Sequence, residues 1–252
     1  ITADEAALVK EIPGHAFHPF YVKEKYKNIA SVSDLKLFPK LEKIGDYAFN
    51  NPNIGGELYS NSIVVLNDYA FKQAKIEKVT LTKMKGGGNT VNYPGWLGSE
   101  VFFDNTPLTE IDMPMLEVAG VNMFYGSKNI KRINLPKLRE IRHKAFYGLT
   151  ADPSYSNDKT KILDKFDGPN VETIRESAFR YAWVNKFSFP KATKIEKEAL
   201  NVIGSIYELR LTAPGTIDVD DNFAPAQYIK NCELILNKDK LPEGTGTPKA
   251  GD

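Results

Sequence analysis

The fold class this sequence predicts is an α/β repeat, a solenoid of short stacked coils, and three observations predict it. First, the stretch 131–146, KRINLPKLREIRHKAF, has a spacing that returns along the chain. Counted back from Phe146, Ala145 stands at minus 1, Ile141 at minus 5, Leu138 at minus 8, Pro136 at minus 10, Leu135 at minus 11 and Ile133 at minus 13. Second, the closing positions Phe17, Phe49, Phe71, Phe102, Phe124, Phe146, Phe179, Leu200 and Phe223 are separated by 32, 22, 31, 22, 22, 33, 21 and 23 residues. A near-fixed period of this size marks a stack of coils. Third, apolar residues alternate just before the proline, as in Ile111 and Met113, Ile133 and Leu135, or Phe187 and Phe189. That is the period of a strand with one face buried.

Taken in order, VKEIPGHAF (9–17) already fits the second half of the unit, so the stack begins near the start of the chain. LFPKLEKIGDYAF (37–49) brings Pro39, Leu41, Ile44, Ala48 and Phe49 into the same slots. The copy ending at Phe102 lacks both the proline and the alanine, which blurs the register over 83–102. IDMPMLEVAGVNMF (111–124) restores Pro114 and Leu116, with Met123 in the alanine slot. FDGPNVETIRESAF (166–179) supplies Pro169, Val171, Ile174 and Ala178, and FSFPKATKIEKEAL (187–200) supplies Pro190, Ile195 and Ala199, with Leu200 in the phenylalanine slot.

Within a unit the proline, which has no N–H and a fixed φ, ends the strand and turns the chain. The next segment, Leu138 to Ile141 in the central copy, is expected to be a bent extended or tight helical piece. Alanine then permits close approach of neighbouring coils, and phenylalanine fills the interior. The last regular strand is YELRL (207–211), and CELIL (232–236) is expected to be the strand of a C-terminal cap. One solenoid of about eight to nine units is therefore expected over 1–224, with a cap strand within 225–240. The Gly- and Pro-rich residues 241–252 are expected to be a disordered tail. The three long gaps are read as insertions near 18–28, 83–98 and 150–161. Such insertions emerge as loops and are frequent binding elements.

Composition narrows the function classes. Apolar residues make up 42% and charged residues 26%, as in a folded protein. A net charge of +1, from 33 basic and 32 acidic residues, supplies no global field for nucleic acid. No apolar run approaches the roughly 18–20 residues that span a bilayer, so no membrane-spanning segment is expected. With Cys232 as the single cysteine, no intrachain disulfide can form. The polar start at Ile1 is read as that of a mature domain whose targeting signal or anchor is not part of the sequence.

The unit with L-P-x-L-x-x-I at its centre and A-F at its end, at a period of 22 to 23, resembles the BspA-like leucine-rich repeats, also described as the Treponema pallidum type. The matching positions run from about residue 8 to 224. The departures are Leu200, Met123, the copy ending at Phe102, and the lack of a cysteine after A-F. The resemblance implies a curved right-handed leucine-rich-repeat solenoid with a parallel sheet lining one face and short irregular or helical convex segments. It also implies an exported or cell-surface bacterial protein that binds a protein or glycan outside the cytoplasm.

If the minus 13 and minus 11 side chains point inward, the minus 14 and minus 12 residues form an outward stripe. Tyr59, Glu110, Asp112, Arg132, Asn134, Lys165, Asp167, Lys186 and Arg210 are its candidate ligand-binding residues. Cross-strand charge pairing accounts for much of the pattern without any ligand. Tyr93, Trp96 and Tyr155 in the insertions are candidate stacking surfaces. Asp112 and Asp167 are expected several coils apart, so no paired carboxylate site, and no catalytic residue, is assigned. His15 and His18, three apart, could hold a metal only with ligands from elsewhere, and Gly86–Gly88 lack the ending of a phosphate loop. No metal and no cofactor is therefore expected. The expected function is non-catalytic binding of a protein, such as a host extracellular or surface protein. A surface glycan-binding protein using the aromatic residues of the insertions is the alternative. The oligomeric state is left open.

Overall fold

The computed structural model describes residues 3–21, 31–86, 100–102, 104, 107–150, 163–203, 206–212, 218–219 and 233–236. Most of the three expected insertions, with Tyr93, Trp96 and Tyr155, and the expected tail lie outside the described residues, as do Cys232 and Phe223.

Strands of the minus 14 to minus 12 positions line up side by side. Gly55–Ser60, Lys75–Leu81, Glu110–Asp112 and Arg132–Asn134 form one parallel sheet in that order. Leu163–Asp167, Val184–Ser188, Glu208–Leu211 and Glu233–Leu236 form a second. Equivalent repeat positions are in register, with Val79 beside Ile111 beside Ile133, and Phe166 beside Phe187 beside Leu209. Period-two alternation then sends one row inward: Val79, Ile111, Phe166, Phe187 and Leu209 are buried. Glu233–Leu236 adds a further strand to the edge of Glu208–Leu211.

The segment expected to be bent or tightly helical is a second parallel strand. At minus 6 and minus 5 in each coil, Glu11–Ile12, Lys43–Ile44 and Val65–Leu66 form one short sheet. Val118–Ala119, Glu140–Ile141, Thr173–Ile174, Lys194–Ile195 and Asp218–Val219 form another. Strand columns thus run on two sides of the coil. Among the described residues helix is confined to Ala3–Ala6 and a 3-10 turn at Ser33–Leu37. Too few residues separate the proline corner from the closing turn for a helix to satisfy its own backbone groups. The N–H groups go to the preceding coil instead, as when Arg139 donates to the Glu117 carbonyl at 2.8 Å and Arg142 to the Ala119 carbonyl at 3.0 Å. Asp218 pairs with Lys194, one position away from the register counted back from Phe223.

A feature of every described closing turn had no sequence expectation. The minus 2 residues His15, Tyr47, Tyr69, Glu100, Asn122, Lys144, Ser177 and Glu198 all have φ between 52° and 60°. That left-handed conformation is unfavourable for residues with a Cβ. It is offset by coil-to-coil hydrogen bonds on either side of the turn. Asn122 N–H reaches the His143 carbonyl at 3.1 Å and Phe124 N–H the Ala145 carbonyl at 2.8 Å, a pattern Phe17, Phe49, Phe102, Phe146 and Phe179 repeat. The left-handed turn aims each closing ring inward, onto the ring below. Phe17, Phe49, Phe71, Phe102, Phe124, Phe146 and Phe179 stack in sequence with centroids 4.8 to 5.5 Å apart. This column is the spine of one continuous core that also contains Leu200, Met123 and Val101.

Candidate interaction surface

The outward residues of the first long-strand sheet form two rows. One is Glu57, Lys78, Glu110 and Arg132; the other is Tyr59, Thr80, Asp112 and Asn134. Within the first row Lys78 pairs with Glu57 at 3.2 Å, and the Arg132 guanidinium pairs with the Glu110 carboxylate. In the second, Asn134 Nδ2 donates to Asp112 at 2.8 Å. The hydrogen bond from Arg132 holds the Glu110 carboxyl below its ordinary value; burial opposes this, and the charges of Arg132 and Lys78 add to it. Glu110, Asp112, Arg132 and Asn134 are therefore one patch, with Tyr59 two strands away and half exposed.

The second long-strand sheet carries the other candidates. Lys165 lies in register with Lys186, and Lys186 with Glu208; Asp167 lies beside Ser188, and Ser188 beside Arg210. Like charges on neighbouring strands repel. Each lysine turns to a carboxylate of the first strand, Lys165 to Asp167 at 3.4 Å and Lys186 to Asp164 at 3.5 Å. Ser188, at an outward position by count, is buried. The candidates thus divide between two sheets. Asp112 and Asp167 lie in different ones, beside Asn134 and Lys165 respectively, and offer ordered hydrogen-bonding and charged contacts.

Two further surfaces escaped the sequence reading. On the edge made by the closing turns, the His15 ring stacks on Tyr47 at 5.1 Å and Tyr47 on Tyr69 at 4.5 Å. Lys72 lies over Tyr69 and pairs with Glu100 at 2.8 Å. Burial first, then the charge of Glu100 and the neighbouring Tyr47 and Asp68, raises the Tyr69 phenol above its ordinary value. Further along, Tyr125 stacks on Tyr147 at 4.5 Å, and Tyr147 meets Tyr181 edge-on at 5.3 Å. Writing the minus 2 and plus 1 residues of successive copies in columns would have shown these aromatic pairs. At the near end His18, Phe20 and Tyr21 gather around His15, with Phe20 89% exposed.

On the short-strand side, Arg175 bridges two coils, with Nε 2.9 Å from Glu140 and Nη1 2.8 Å from Glu196. Lys194 and the Glu176 N–H also hold Glu196, at 3.3 and 3.1 Å. Burial disfavours the charged carboxylate, but these donors outweigh it and keep Glu196 below its ordinary value. An open groove beside this network is lined by Glu117, Lys137, Arg139, Asn170, Glu172 and Lys191. Among the described residues, no three His, Cys, Asp or Glu side chains gather to hold a metal ion, and no helix is long and apolar enough to cross a membrane.

The pattern of the BspA type leucine rich repeat region matches residues 22–152 in six copies. Among solved structures, the chain is similar to a leucine rich cell surface protein from Faecalibacterium prausnitzii A2-165, with 14% identity and a TM-score of 0.38. That match covers 78% of this chain, which spans 64% of the length of the other. No curated protein matches the chain.

Proposed function

Because this chain belongs to the BspA-type leucine-rich repeat family, we propose that it is a non-catalytic binding protein displayed outside the cytoplasm, where its long-strand face meets a protein partner. The observation that carries the reading is the register of that face. Backbone pairing fixes Tyr59, Asp112 and Asn134 on one row and Glu110 and Arg132 on the next, so their geometry is set before any partner arrives. A pre-ordered surface loses little entropy on binding. The Arg132 side chain is 73% exposed although it is paired with Glu110, and Tyr59 stands 50% exposed on its own strand. Tyrosine and arginine are the side chains on which interface energy concentrates. In the second sheet, adjacent Lys165 and Lys186 favour an acidic segment of the same partner.

A glycan-binding reading is favoured by one observation: Phe20 and Tyr21 project beside His15 and His18 where the first insertion begins. Exposed rings of this kind stack on sugars. Capture of extracellular and cell-surface proteins on the immobilised chain, alongside a glycan array, separates the two. The protein reading expects a partner lost in the double variant Tyr59→Ala, Arg132→Ala and kept in Phe20→Ala. Glycan signal lost in Phe20→Ala, with no protein captured, would overturn it.

A further inference from the structure

The closing-turn edge holds two pairs of tyrosines in a relationship that partner binding does not require. Tyr125 and Tyr147, each one residue past a closing phenylalanine, lie face to face with centroids 4.5 Å apart and ring planes 6° from parallel. Tyr47 and Tyr69, each two residues before one, lie 4.5 Å apart at 14°. The stacked Phe124 and Phe146 beneath the first pair, and Phe49 and Phe71 beneath the second, hold each alignment from below. All four tyrosines are partly exposed, so a diffusible oxidant reaches them. Burial, with the neighbouring Tyr125 and Tyr181, raises the Tyr147 phenol above its ordinary value, so it enters any oxidation carrying its proton.

We infer that Tyr125 with Tyr147, and Tyr47 with Tyr69, are dityrosine-forming sites that covalently staple neighbouring coils under one-electron oxidation. Each phenol gives one electron and one proton to the oxidant, leaving two stacked phenoxyl radicals. Their ortho carbons couple across the stack to form one C–C bond. The two ortho hydrogens then leave as protons, and rearomatisation restores both hydroxyl groups. The pair has lost two electrons and two protons overall. Hydrogen peroxide turned over by a haem peroxidase takes up both and leaves as two waters. Stacking serves this step because two radicals held in contact couple as one molecule and need no encounter. A chain with Cys232 as its one cysteine has no intrachain disulfide to join its coils, so a tyrosine staple is the oxidative cross-link open to it.

Accessibility alone predicts a different product. Tyr21, Tyr59 and Tyr207 are 69%, 50% and 54% exposed, and none of them has a tyrosine stacked on it among the described residues. The test treats the dilute, folded chain with hydrogen peroxide and a haem peroxidase, then follows dityrosine fluorescence and maps cross-linked peptides by mass spectrometry. The expected products are species of monomer size in which the peptides of Tyr125 and Tyr147, and of Tyr47 and Tyr69, are joined with the loss of two hydrogens. Tyr125→Phe keeps the stack but removes the first cross-link and leaves the second. Unfolding in urea before oxidation lowers the yield of both by roughly tenfold or more. Cross-links led by Tyr21, Tyr59 or Tyr207, products joining separate chains, or a yield indifferent to urea would overturn the inference.

Discussion

The rings of Phe102 and Phe124 lie 5.4 Å apart and within 3° of parallel, although the copy ending at Phe102 carries neither the proline nor the alanine of the repeat. Val101 fills the alanine slot and is fully buried, and Glu100 keeps the left-handed turn at φ 53°. The aromatic column therefore depends on the closing turn and its ring, while the proline corner is dispensable.

Phe146 sits between Phe124 and Phe179, with Phe166 edge-on at 5.1 Å, so its removal leaves a cavity that rigid neighbours on three sides cannot fill. Phe146→Ala is expected to destabilise the chain by about 3–5 kcal/mol. Urea unfolding followed by circular dichroism measures it, and an unchanged midpoint would remove Phe146 from the spine.

Lys144 occupies the left-handed turn with φ 53°. Lys144→Val places a β-branched side chain where it is sterically disfavoured, and is expected to lower stability by about 1–3 kcal/mol. Lys144→Gly, free of that penalty, is expected to match or exceed the parent. Equal losses in the two variants would mean that the backbone angle has no energetic consequence.

Gly45 packs against the preceding coil so closely that an added Cβ would lie 2.4 Å from the Gly14 nitrogen. The two coils would have to separate, which strains the bond from Gly45 N–H to the Ile12 carbonyl at 2.8 Å. Gly45→Ala is expected to cost about 1–3 kcal/mol, read as a lower thermal midpoint, by overpacking a site with only backbone in the way.

Glu196 has a folded-state pKa below its unfolded value, so its contribution to stability is present above the unfolded pKa and is lost as pH falls through the folded one. The parent is therefore expected to be more stable than Glu196→Gln at neutral pH. The gap should narrow through the acid range and close below the folded pKa. Urea midpoints measured from pH 7 downward test this, and a gap constant with pH would show that the carboxylate's charge contributes nothing.

Much of the architecture was legible because the period is carried by residues whose chemistry is unambiguous. Ile111, Met113, Phe187 and Phe189 alternate as a half-buried strand must, and the register of the long strands follows from aligning the copies. The second strand column was not legible, since two-residue strands such as Glu140–Ile141 are too short to show a period. The stripe residues were named correctly as outward, apart from buried Ser188, but one sequence does not reveal that the strands divide into two sheets.

The sequence by itself determined the coil length, the inward ring of each coil and the absence of an intrachain disulfide, because these follow from spacing and residue type. Only the tertiary structure decided that Tyr47 meets Tyr69, that Tyr125 meets Tyr147, and that Arg175 spans Glu140 and Glu196. Those contacts join residues 22, 22, 35 and 21 positions apart in the chain. They exist because a left-handed turn and a hydrogen-bonded backbone set the rise from one coil to the next, and that rise brings equivalent side chains within ring-stacking and ion-pairing distance.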